Sequence, residues 1–109
     1  MSISYPALGT PVVGAAAITT VVAVTTNAVL ALANPSRAPE ALIINNSNKN
    51  LWFTINGAAA TVTPPSIKVP ANGGSADIPS GYTGAINGIW EPGGVAITGS
   101  AVIYECSYV

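Results

Sequence analysis

Histidine is missing from this chain, cysteine occurs once, and three basic and four acidic side chains are all the charge among 109 residues. Each shortage removes a class of function. Without His, and with Cys106 alone, no usual zinc or redox ligand set can be assembled. No Asp/Asn ladder has the spacing of a calcium loop. Three cations cannot neutralise the several phosphates that salt-dependent nucleic-acid binding requires, so nucleic acid is not an expected partner. Glu40, Asp77, Glu91 and Glu105 each stand alone in their segments, and no serine has a His or a placed Lys to activate it. Gly73-Gly74 and Gly93-Gly94 are too short to cradle a phosphate. These absences lead us to expect neither an enzyme nor a cofactor.

The charged fraction, 6%, is far below the roughly 25% of an ordinary soluble domain. The exterior must therefore consist of Ser, Thr, Asn, Gly and exposed aliphatics. Charge repulsion protects such a surface poorly, which fits a protein that is covered by neighbours. The first 36 residues carry no charge. Even so, Thr19, Thr20, Thr25, Thr26, Asn27 and Asn34 interrupt the stretch, Pro11 and Gly14 break its start, and no Lys or Arg flanks it on the N-terminal side. The opening Met1-Ser2-Ile3-Ser4-Tyr5-Pro6 lacks a basic region. We expect no membrane span and no secretory leader.

What is present is β-forming sequence cut at short intervals. Pro6, Gly9, Pro11 and Gly14 prevent a helix over residues 1–17 and predict an extended arm. Its apolar residues Ile3, Tyr5, Leu8, Val12 and Val13 are the candidate partner-binding residues, packed either on their own domain or on a neighbour. Residues 18–109 form the second unit. Ile18 to Ala33, rich in Thr and Val, reads as two strands around Thr25-Thr26-Asn27, although its Ala-rich end has helical propensity. A strand over Glu40 to Asn46 is followed by the polar run Asn45 to Asn50, read as a hairpin turn. Leu51 to Asn56 alternates, with Leu51, Phe53 and Ile55 on one face and Trp52 on the other.

Further strands are predicted at Ile67 to Val69, at Ser75 to Pro79, at Tyr82 to Glu91 and within Val95 to Val109. Gly84 and Gly88 mark a bulge or a close backbone approach. Turns recur every ~8–12 residues, the pattern of an all-β, single small antiparallel β-sandwich, jelly-roll-like or Ig-like. Leu51, Phe53, Ile55, Ile67, Val69, Ile78 and Tyr104 are its expected core, and Cys106 is read as a buried small hydrophobe. Arg37 is expected to clamp structure by bonding turn carbonyls or Glu40 or Glu105. Trp52 or Trp90 would have to be exposed to stack on sugar; packing in a core or subunit contact is the alternative.

Four stretches carry a family resemblance: Asn34-Pro35-Ser36-Arg37; Ala41 to Ser47 with Leu51-Trp52-Phe53; Pro79 to Trp90; and Val102 to Tyr108. Together, over about residues 34–109, they resemble small β-sandwich virion proteins of tailed bacteriophages; residues 1–33 have no counterpart. The resemblance implies a capsid decoration (cement) protein on the outer surface of the virion head. In such a role a homotrimer clamps neighbouring major capsid proteins, with no membrane and no small-molecule substrate. A tail, neck or fibre subunit of the same virion shares these features. A carbohydrate-binding β-sandwich module is the alternative from another class.

Overall fold

A computed structural model describes residues 13–38 and 41–108, and every regular element in them is a strand. The strands are β1 (Val13–Val22), β2 (Ala28–Ala31), β3 (Ala41–Asn45), β4 (Leu51–Thr54), β5 (Ile67–Val69), β6 (Gly74–Ile78), β7 (Ile86–Trp90) and β8 (Ser100–Tyr108). The Ala-rich β2 is a strand because pairing with β7 turns Leu30 and Ala31 into the core, and that burial overrides helix propensity.

Two antiparallel four-stranded sheets result, ordered β1-β8-β3-β6 (sheet I) and β2-β7-β4-β5 (sheet II). Only the β4–β5 link joins neighbours within one sheet; every other connection crosses from one sheet to the other. Eight strands in this order form a jelly roll, an all-β sandwich distinct from the Ig arrangement. The Asn45 to Asn50 run, expected as a hairpin turn, is therefore an arch from β3 in sheet I to β4 in sheet II. Asn and Ser serve either connection equally well, because both need the same tight, side-chain-bonded backbone.

Leu30, Ile43, Leu51, Phe53, Val69, Ile78, Ile86, Trp90 and Ile103 fill the space between the sheets. Each large aliphatic or aromatic side chain buried there contributes about 1.5–3 kcal/mol. Of the expected core, Leu51, Phe53, Val69 and Ile78 are buried, and Ile55 packs partly against them. Ile67 is 39% exposed and Tyr104 37%. Ile67 lies on the inward side opposite Phe53, but β5 is an edge strand and its first residue overhangs the sandwich. Tyr104 belongs to the other face of β8, since Ala101 and Ile103 point inward. Cys106 shares the parity of Tyr104 and is half-buried, not a core thiol.

β1 begins at Val13, inside the expected arm, and pairs with β8 from Val13↔Tyr108 to Val22↔Ser100. Truncation at residue 17 would cut into this strand, so 12 is the safer limit for removing what precedes it. Ile3, Tyr5, Leu8 and Val12 lie outside the described residues.

Close approach constrains several glycines, two of them against the core and the arch. A Cβ on Gly88 in β7 would sit 2.7 Å from Leu30 Cδ1, beside the register irregularity between Val29 and Ala31. Gly99, just before β8, has φ +91, and a Cβ there would overlap the Asn46 carbonyl oxygen and lie 2.8 Å from Ser47 Cα. Gly99→Ala is expected to destabilise the domain by about 1–3 kcal/mol, through both left-handed backbone strain and overlap with the arch. A thermal melt equal to that of the unmodified protein would show that this contact relaxes freely.

Candidate interaction face

Two buried polar hubs hold the sandwich ends. Arg37, in an isolated bridge with Ser107, is buried. Its Nε donates to Glu105 Oε2 at 2.7 Å, Nη1 to the Tyr82 and Gly84 carbonyls at 3.1 and 2.9 Å, and Nη2 to the Leu32 carbonyl at 2.8 Å. The guanidinium also lies 6.0 Å from the centre of the Tyr82 ring, at the outer range of a cation–π contact. Tyr82 OH in turn donates to the Ala85 carbonyl. The planar fork of Arg is what lets one side chain tie three chain segments together. Arg37 is thus a structural clamp, with Glu105 as its acidic partner.

Asn45, at the end of β3, is fully buried. Its Nδ2 donates to the Lys49, Val69 and Pro70 carbonyls at 2.7, 3.1 and 3.2 Å. Its Oδ1 accepts from Ser47 Oγ at 2.8 Å and from the Trp90 indole Nε1 at 3.1 Å. The amide therefore fixes the arch and satisfies the core tryptophan at once. Trp90 is completely buried, which removes it as a sugar platform.

Trp52 points to the outer side of sheet II, opposite Lys68 and Ile89. It is half-buried, and its indole N–H, like Glu91 Oε2, has no hydrogen-bond partner among the described residues. Neither tryptophan thus offers the exposed ring face that a sugar-stacking module needs.

The outer side of sheet I is the unusual surface. Register places Ile18, Tyr104, Leu42 and Asp77 in one row across β1, β8, β3 and β6, and Thr20, Val102, Ile44 and Ser75 in the next. Ile18 is 61% exposed and Val22, further along β1, 70%. An antiparallel sheet wetted on one side alternates apolar and polar residues; strands apolar on both sides are those covered on both sides. β3 and β8 follow the second pattern. A cleft of about 530 Å³ lies on this side, lined by Leu42, Asp77, Ile78, Pro79 and Tyr104 among others.

Among the described residues Asp77 is the sole carboxylate lining this cleft, and they hold no cluster of three His, Cys, Asp or Glu. Asp77 in β6, Glu91 after β7 and Glu105 in β8 come from separate segments, and Glu105 is engaged by Arg37. Shape and apolar area are what the cleft offers a partner. Of the arm residues singled out from sequence, Val13 is placed at the start of β1 opposite Tyr108, and the other four lie outside the described residues. The outer face itself was not among those candidates. The signal for it lay in the unbroken apolar runs Ala41-Leu42-Ile43-Ile44 and Ala101-Val102-Ile103-Tyr104. Compared with known protein families, curated proteins and solved structures, the chain matches none.

Proposed function

We propose that this chain is a structural virion subunit, a capsid decoration protein that binds the outer head surface and bridges neighbouring major capsid proteins. The observation that supports this reading is the apolar outer side of sheet I, combined with a chain that is nearly free of charge. A contiguous apolar sheet face with one marginal carboxylate suits permanent contact with another protein. Binding comes from burying that area at about 25 cal/mol per Å², multiplied over the many equivalent sites of a symmetric shell. The phage setting rests on the resemblance of residues 34–109. The jelly-roll topology is in keeping with it, since viral capsid domains are among the proteins that use this fold. Fold alone does not assign the role.

Purified protein added to heads of its own phage that lack it should co-sediment with them to a saturating stoichiometry. Failure to bind such heads at micromolar concentration refutes the decoration reading. On the same assay Tyr104→Asp, which sets a charge in the middle of the face, should weaken binding about tenfold or more. Its thermal melt should stay close to that of the parent, because Tyr104 points away from the core. Undiminished binding by this variant would remove the outer side of sheet I from the contact.

A further inference from the structure

The free edge of β1 has a hydrogen-bond pattern that can be worked out residue by residue. Ala23 N–H donates to the Gly99 carbonyl at 3.1 Å, one step beyond the Val22↔Ser100 pair. In an antiparallel ladder bonded and non-bonded pairs alternate, so Val21, Thr19 and Ala17 bond to β8. The other side of β8 agrees: Asn46 N–H donates to the Ser100 carbonyl at 2.8 Å, which assigns Ser100, Val102 and Tyr104 to β3 and leaves Ala101 and Ile103 for β1. Ile18, Thr20 and Val22 therefore aim both their N–H and their C=O away from the sheet. Among the described residues no strand pairs with that side of β1.

Exposed edges are normally blunted by charge, Pro, bulges or short length. The other three edges of this sandwich are. β6 carries Asp77; β5 has three residues, with Lys68 at its centre and Pro70 immediately after; and β2 has four with a register irregularity. β1 has ten residues and contains neither charge nor proline, and its one register shift lies between Val13 and Ala16, away from the open donors. Its outward side chains at the same positions, Ile18 and Val22, are the exposed apolar ones.

We propose that β1 is a self-recognition edge: two copies of the chain join β1 to β1, antiparallel, about a two-fold axis through Thr20. That register sets Thr20 opposite Thr20 of the second copy and Ile18 opposite its Val22, and the symmetry repeats the second pair. All three pairs are of the bonded type, each exchanging two hydrogen bonds. The register also keeps outward residues facing outward ones, as a sheet requires, and brings two exposed apolar side chains into contact. No charge stands on either strand to oppose the approach; Glu105 of the adjacent β8 is on the inward parity and paired with Arg37, and Asp77 on the outer side is three strands away. The two sheets I become one eight-stranded sheet with a continuous apolar outer side. A two-fold contact of this kind is isologous and closes on itself. It differs from the threefold that the phage resemblance implies, and it stands independently of where the protein acts.

Light scattering on the full chain should give twice the 10.8 kDa chain mass, and Thr20→Pro should give that mass once. Proline is tolerated there, because the N–H it removes faces outward and not toward β8. If Thr20→Pro does not fold by circular dichroism, the double variant Ile18→Lys, Val22→Lys replaces it, with the same expectation. With Cys106→Ser as background, mild oxidation should cross-link Thr20→Cys into a dimer and leave Ser75→Cys on the opposite edge uncross-linked. A monomeric or trimeric parent, or a dimer that persists in Thr20→Pro or the double-lysine variant, overturns the proposal. So does a monomer that dimerises only once residues 1–12 are removed, since the chain's own segment would then occupy the edge. A monomer that still coats heads defeats only self-pairing, whereas a dimer that ignores heads defeats only the decoration reading.

Discussion

Arg37→Ala is expected to remove about 3–5 kcal/mol of folding stability, the loss typical of breaking a buried ion pair from one side. The Arg37 side chain is 1% exposed and that of Glu105 14%, so the carboxylate left behind would have little water to turn to. The carbonyls of Leu32, Tyr82 and Gly84 would lose their donors in the same step. Against a total of about 5–15 kcal/mol for a domain, the variant should unfold at much lower urea or fail to fold at 37 °C. Glu105→Gln should do far less harm, because its amide oxygen can still accept from Arg37 Nε. Replacing both members by Met should recover only part of the loss, since the three carbonyls remain without a donor. Urea midpoints rank these variants. A midpoint for Arg37→Ala within about 1 kcal/mol of the parent would mean that water replaces the guanidinium, and that the clamp is ornamental.

Asn45→Asp should be as damaging, also about 3–5 kcal/mol near neutral pH, although it changes only an amide NH2 to an oxygen. The new carboxylate would face the Lys49, Val69 and Pro70 carbonyls, which now accept from Nδ2. Burial among acceptors that offer it no donor raises the folded-state pKa of such a group above its unfolded value near 4. A raised folded pKa means the protonated form is the one that fits. The variant therefore loses stability relative to the parent as pH climbs past that unfolded value, and regains it on acidification. Asn45→Ala should lack this pH dependence while leaving the Trp90 indole N–H unpaired. Chemical denaturation at several pH values distinguishes the two; parallel pH curves for Asn45→Asp and the parent would contradict a buried, donor-dependent amide.

How far the chain could be read in advance follows from its two kinds of strand. Where one side is polar, as in Leu51 to Asn56, alternation identified the buried side correctly, and Leu51 and Phe53 are in the core. Where both sides are apolar, as in β8, alternation has nothing to separate in from out, and Tyr104 was assigned to the wrong side. The clamp role of Arg37 was legible because a lone guanidinium after a long neutral stretch needs acceptors. Which carbonyls it finds depends on how strands distant in sequence meet. Turn positions were legible too, but not whether a turn stays in one sheet. Thr25-Thr26-Asn27 and Asn45 to Asn50 both carry the chain across the sandwich, and local chemistry is the same in either case. The sequence around Trp90 leaves its direction open, because the amide that accepts its N–H lies 45 positions earlier.

The pairing of the first described strand with the last has a consequence for biosynthesis. β8 sits between β1 and β3, so sheet I lacks an interior member until β8 leaves the ribosome. A nascent chain therefore carries β1 without its β8 partner while β2 to β7 are made, and the long-range closure that follows is of the slow kind. Crowded polysomes expose many such strands at once. Chaperone engagement of the emerging β1 to β7 segment, released once β8 can pair, is the behaviour this topology calls for.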